Sequence, residues 1–331
     1  MSEPVQTLSS RREFLFCYDI KMGNPNGDPD ENRPRVLPDK THYVTDVRLK
    51  RFIRDYLKSQ GKEILVDTIE GKTTNLTGRV AAYLQINKRP KCEGRELVDI
   101  LLSAFIDTRL FGSSFAFKKQ DGWEPTAEPK TLTGPVQIQI GEVKHKAQEV
   151  DITGTSVFGS DQEKTQGTFT TYYALRYALI AFNGIANQHS AKVSRLTDDD
   201  YNIMLRAMWY GIRSAGNTRT KRGQVPRLLI NVVYKPGEEF QFGNLMDYLD
   251  LKDQTNNAKQ PHEWSSPDDY IFDLTRLFER LKPQAPRIQR IEYCKSPDAE
   301  TLPPLGDFNI DGVDVKNLDL DKPETPEAKA G

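Results

Sequence analysis

Residues 197–234 read TDDDYNIMLRAMWYGIRSAGNTRTKRGQVPRLLINVVY. Thr197 is a good helix N-cap, and Asp198, Asp199 and Asp200 complement the positive end of a helix dipole. Tyr201, Met204, Leu205, Met208 and Ile212 then recur at helical spacing. RLLINVVY (227–234) is an apolar, β-branched run of strand length. Between helix and strand lies SAGNTRTKRGQVPR (214–227), and no acidic residue occurs from Tyr201 to Gly237. Gly216 and Gly223 give this loop backbone freedom to approach a ligand closely. Guanidinium and ammonium groups interleaved with Asn, Thr, Ser and Gln suit phosphate contacts. A solvated basic loop is the alternative. The placement between a helix and a core strand, with a second basic helix face elsewhere, favours phosphate.

Working outward, EFLFCYDI (13–20) and FTTYYALRYALIAF (169–182) read as buried strands, and TGPVQIQI (133–140) as a third. THYVTDVRLKRFIRDYLKSQG carries Leu49, Phe52, Ile53, Tyr56 and Leu57 at helical spacing, with Thr45 or Asp46 as cap and Gly61 as stop. The order is therefore strand, helix, strand, strand, helix, strand. That predicts an α+β fold with a modified RRM or ferredoxin-like palm of order βαββαβ, spanning 10–235. A large insertion (62–133) contains one helix over GRELVDILLSAFIDTRLFG. The polar stretch 141–168 is expected to form a protruding β-hairpin arm. Residues 236–331, acidic and Pro-rich with a short helix near DLTRLFERL, are expected to be partly loosely ordered.

The chain has 331 residues and a net charge of −1, with mean hydropathy −0.63 and a pI near 6.5. The balanced total hides segregation of sign. Three scattered cysteines, Cys17, Cys92 and Cys294, give no CxxC pair, and Cys17 reads as core. The N-terminus lacks an apolar leader and no run approaches about 20 apolar residues, so a cytoplasmic, membrane-free protein is expected. Four scattered histidines form no ligand pair, and no metal or cofactor is expected. The RLFGSSFAF run (109–117) only faintly resembles an RRM aromatic strand and reads as core.

GNPNGDPDENRPR (23–35) offers several readings. Asp28, Asp30, Asn32 and Asp39 match calcium-loop positions, but Arg33 stands where that loop needs Gly, and three prolines stiffen it. No GK[ST] follows, so it is not a P-loop. Asn24 and Asn26 suit Asx-turns and Gly27 a positive φ. A stiff turn that delivers Arg33 and Arg35 beside the sheet is the surviving reading. On the following helix Arg48, Lys50, Arg51 and Arg54 form a basic face, either solvent-exposed or phosphate-binding. On the arm, Lys144, His145 and Lys146 precede the tip, and Phe158 or Phe169 either wedges between bases or packs on its own hairpin.

FLFCYDIKMGNPNGDPDENRPR together with SAGNTRTKRGQVPRLLI resembles the RAMP-superfamily backbone subunit of type I CRISPR Cascade complexes, most like type I-B and near type I-C. RLFG, TGPVQIQIGEV and GTFTTYYALRYALIAFNGIAN fit the same family, so the resemblance covers roughly residues 10–235. It implies a palm with finger insertions and a thumb, a non-enzymatic role, and head-to-tail copies along a guide RNA that pairs with target DNA beside other Cascade subunits. It places RNA contacts on Asn24, Asn26, Arg33, Arg48, Asn217, Thr218, Arg219, Lys221, Arg222 and Gln224. Lys21, Arg35, Arg51, Lys144, Lys146 and Arg213 are further candidates. Two other functions stay open. One is a metal-dependent target-RNA endoribonuclease, as in type III complexes, using Asp28, Asp30 or Asp151. The other is a generic single-stranded RNA-binding protein.

Overall fold

The structure, a computed structural model, describes residues 6–69, 71–155, 169–217, 221–254 and 259–320. Its centre is β1 (Arg12–Gly23), whose apolar run is buried from Arg12 through Ile20. Alternating side chains go to opposite faces of a strand. Phe14, Phe16, Tyr18 and Ile20 join one core, while Leu15 and Cys17 join another. The sheet is therefore covered on both sides.

The first cover is helical. Helix α1 (Asp46–Ser59) starts at Thr45, whose side-chain oxygen accepts from the Arg48 amide at 3.3 Å. It buries Leu49, Phe52, Ile53 and Leu57. Behind the chain turn at Gly61 (φ 77) comes the insertion. It has its own apolar cluster of Leu65, Val80, Leu84, Leu97, Leu101 and Phe105. Besides a helix at Leu76–Ile86, the stretch read as one helix forms two, Gly94–Ala104 and Ile106–Phe111, because Phe105 turns extended to fill that cluster. Asp107 then ties the insertion to α1, accepting from Arg54 at 2.9 Å and from the Leu65 amide at 2.8 Å.

Strand β2 (Phe169–Ala186) runs antiparallel to β1, pairing Arg12 with Ala186 and Gly23 with Leu175. The short strands Val136–Ile138, Gly141–Val143 and Glu149–Thr155 pair with its other edge. The first lies in the strand expected at 133–140, and the other two are the base of the expected arm. Its tip, with Phe158, lies outside the described residues. Helix α2 (Asp198–Ser214) has a capping box in which Thr197 and Asp200 satisfy each other's amides. Its Gly211 lets it approach α1 closely, since a Cβ there would stand 2.6 Å from the Phe52 carbonyl. Strand β3 (Gln224–Tyr234) returns along the other side of β1. Beyond it lie β4 (Ile288–Lys295) and β5 (Asp314–Asn317). The core strand order is thus β3–β1–β2 followed by the short strands, all antiparallel.

The described residues of 236–320 are packed where their composition invites a loose reading, and residues 321–331, which that reading also covers, lie outside the described residues. Trp264, Tyr270, Phe272, Phe278 and Phe308 pack with Leu15, Cys17, Tyr177, Leu228 and Ile230 into the second core. Each such side chain contributes about 1.5–3 kcal/mol through burial, enough to hold an acidic segment in place. Polar clasps fix its register. Glu13 accepts from the Phe242 and Gly243 amides, both at 2.8 Å. Asp19 accepts from Arg227 and from the Tyr177 hydroxyl, again both at 2.8 Å, and Tyr177 also meets Tyr270. The short helix expected near DLTRLFERL is Thr275–Leu281.

Candidate nucleic-acid interface

Three segments converge where β1 ends: the 23–35 loop, the start of α1, and the basic loop entering β3. The first is held by its own turns. Asp28 accepts from the Asp30 and Glu31 amides at 3.1 and 2.9 Å, so this acid is a turn-former. The residue with positive φ is Asn32 (φ 56), not Gly27; Gly27 instead leaves room for the Asn32 side chain. Nor do Asn24 and Asn26 form local Asx-turns. Asn24 is fully buried and donates to the Asn32 carbonyl at 2.6 Å. Asn26 accepts from the Thr45 amide and hydroxyl, both at 2.9 Å, which locks the loop to the start of α1. Arg35 donates to the Gly27 carbonyl at 3.2 Å.

The basic loop docks on this frame. The Lys21 amide donates to the Gly223 carbonyl at 3.3 Å, and Gly223 (φ 87) sits where a Cβ would stand 2.9 Å from the Lys21 carbonyl. The Lys221 ammonium donates to the Asn24 carbonyl. Burial, with the nearby Arg48 charge, pushes Lys221 down to about 7. Burial also lowers Arg48, whose guanidinium lies over the Phe52 ring at 4.7 Å. Neither cation forms an ion pair among the described residues. Two adjacent, partly desolvated cations of one sign are costly unless an anion completes them. Beneath them are the buried Tyr18 and Gln224. Tyr18 Oη, both Gln224 amide atoms, Asn24 Oδ1 and Arg48 Nε have no hydrogen-bond partner among the described residues.

The other candidates separate. Lys21, Lys146 and Arg222 are exposed. Arg51 donates to Asp55 at 2.8 Å and to the Val66 carbonyl at 3.1 Å. Lys50 meets Asp46 at 3.0 Å and Arg54 meets Asp107, so the basic face of α1 is mostly neutralised within the chain and Arg48 stands apart. Arg33 stacks on the Tyr173 ring at 3.7 Å and donates to Glu31 at 2.6 Å. Its other neighbour is Glu149, which also holds His42 at 2.9 Å. Lys144 donates to the Met246 carbonyl at 3.1 Å. His145 accepts from the Leu179 amide, lies 3.0 Å from the Pro261 carbonyl, and is pushed down to about 4 by burial, so it is neutral at ordinary pH. Arg213 lies over the Trp209 and Tyr210 rings at 5.7 and 6.0 Å. Thr218 and Arg219 lie outside the described residues, as does the side chain of Asn217.

Sequence reasoning missed Tyr18 and Tyr173. Tyr18 sits inside an apolar run, and only the polar groups gathered around it mark it as different. Among the described residues no group of three or more His, Cys, Asp or Glu is placed to hold a metal ion. No helix among them is long and apolar enough to cross a membrane.

The architecture is that of an α+β protein whose sheet is covered on both faces and which sets Arg48 and Lys221, neither in an ion pair among the described residues, beside one strand end. Comparison with known proteins agrees with it. The family model described as CRISPR-associated protein Cas7 matches residues 10–275. A CRISPR-associated protein Cas7 from Haloferax volcanii is 30% identical over 302 residues, covering 86% of each chain. A chain of a solved CRISPR RNA-guided surveillance complex, pre-nicking, shares the fold at a TM-score of 0.51 and 10% identity, covering 93% of this chain and 96% of its own. The chain belongs to the Cas7 family.

Proposed function

We propose that this chain is the guide-RNA-binding backbone subunit of a CRISPR RNA-guided surveillance complex of type I, close to the I-B and I-C branches. Its palm is of the RRM type, and copies of it line up head to tail along the guide with other Cascade subunits. The guide is thereby presented for pairing with a target DNA strand. The protein works in the cytoplasm and is not itself an enzyme. Family membership supports the reading, and so does the fold shared with a chain of a surveillance complex. The observation that carries it is Arg48 beside Lys221, close enough to lower the lysine's pKa, with neither cation in an ion pair among the described residues, at the junction of three loops. A polyanion supplies the missing charge, and contacts to phosphate and sugar leave the bases free, so sequence is read by base pairing. The test is purification of the chain expressed with its repeat–spacer transcript. A discrete guide RNA should co-purify, and incubation with complementary RNA and Mg²⁺ should give no cleavage. Recovery without RNA refutes the role, and cleavage lost on Asp28→Ala or Asp151→Ala refutes its non-enzymatic part.

A further inference from the structure

The groups beneath Arg48 and Lys221 differ in kind from those a phosphate needs. A phosphodiester only accepts hydrogen bonds, and the two cations and backbone amides are donors enough. Tyr18 Oη and the Gln224 amide each give and take, and Asn24 Oδ1 can only take. Tyr18 is fully buried, Asn24 likewise, and Gln224 is 5% exposed. Tyr18 Oη, both Gln224 amide atoms and Asn24 Oδ1 stay unpartnered among the described residues. Gln224 stands directly across from Ile20 in the β1–β3 ladder and Tyr18 across from Pro226, so both side chains share the helix-facing side of the sheet. Tyr18 is held flat against Phe182 (ring centroids 6.1 Å apart), which fixes where its hydroxyl points. Arg48 lies within electrostatic reach of both Tyr18 and Lys221, Lys221 donates to the Asn24 carbonyl, and Gln224 neighbours Tyr18 across the ladder, which links these residues in one region. Buried orphan polar groups are destabilising, and a cluster of them in one place calls for a ligand that both donates and accepts.

We propose that Tyr18, Gln224 and Asn24 form a pocket for a ribose 2′-hydroxyl, which makes the chain select RNA over DNA of the same sequence. The 2′-hydroxyl is the group of a nucleotide backbone that both donates and accepts, and it is what separates RNA from DNA at a given contact. The inference rests on the RNA-binding reading above. Lys221 is the roof. It donates to the Asn24 carbonyl, so the strand enters when this ammonium exchanges the carbonyl for a phosphate and swings aside. Phosphate on the cations and hydroxyl on the neutral groups then belong to one nucleotide.

The experiment measures binding of the purified full chain to single strands of one mixed sequence made as RNA, DNA and 2′-O-methyl RNA. It uses wild type, Tyr18→Phe and Gln224→Leu, with folding checked by circular dichroism. The expected result is RNA bound about tenfold or more tighter than DNA and 2′-O-methyl RNA, with each variant weakening RNA about five- to tenfold while leaving DNA unchanged. Thermal unfolding of the free variants should not fall, because an orphan polar group has been removed. Equal wild-type affinity for RNA and DNA overturns the pocket, as does equal loss on both strands in the variants, while RNA binding itself stands. A wild type that binds no RNA overturns the functional reading with it.

Discussion

Lys221 makes RNA binding a proton-linked reaction. In the free protein burial and Arg48 hold its ammonium near a pKa of about 7, against an ordinary value of 10.5. Between those values the unfolded chain binds more protons on this lysine than the native chain, so its drag on native stability fades as pH rises. RNA reverses the sign. A phosphate beside Lys221 favours the charged form and returns its pKa toward the ordinary value, so binding takes up a proton above neutrality. With one such group, affinity should fall about 15-fold between roughly pH 7 and pH 8.5, approaching tenfold per unit at the alkaline end. Lys221→Arg keeps the charge at all these pH values and should flatten the profile. Fluorescence anisotropy of a labelled RNA at fixed ionic strength, with wild type and variant in parallel, measures both. A flat wild-type profile, or the same slope in Lys221→Arg, refutes the argument that this amine is desolvated and waits for an anion.

Other outcomes follow from separate parts of the molecule. Arg48→Ala and Arg222→Ala should each lower the slope of log affinity against log salt by about 0.7, alike for every RNA sequence, whereas Arg51→Ala should leave it unchanged because its charge is already met by Asp55. Asp19→Ala strips Arg227 of its buried partner and should lower unfolding stability by about 3 kcal/mol in urea titrations; a change under about 1 kcal/mol would show that Asp298 suffices. Gly211→Ala forces α1 and α2 apart at Phe52 and should destabilise by about 1–3 kcal/mol, read as a lower thermal midpoint.

The succession β1, α1, β2, α2, β3 is legible because each element carries a strong apolar signature and both helices a cap. The far layer is not, since average composition hides it. Trp264, Tyr270, Phe272 and Phe278 are spaced among acids, and a window that counts charge sees a tail. The hint was in β1 itself. The FLFCY run within EFLFCYDI is apolar at every position, and a strand facing water on one side would alternate. The rim was half legible. Loop composition points to Arg48, Arg51, Lys144 and Lys221 alike, yet what distinguishes them is the neighbour. Asp55 lies one turn from Arg51 in the chain and can be read from spacing. Asp107, the partner of Arg54, is far away and cannot. Lys144 points to Met246, a contact that exists only once the far layer has folded.

That layer also sets a timetable. Strand β1 leaves the ribosome before its neighbours, residues 169–186 and 224–234, and Leu15 and Cys17 are sealed by side chains as distant as Phe308 and Val313. Pairings of such sequence separation close slowly, because a long loop must be ordered before any contact rewards it. At about 5–20 residues per second, the apolar N-terminal strand therefore spends many seconds with one face uncovered. Synthesis through residue 313 is a condition for hiding it, and a chain stopped after β3 would carry every candidate RNA contact on a sheet still open to aggregation.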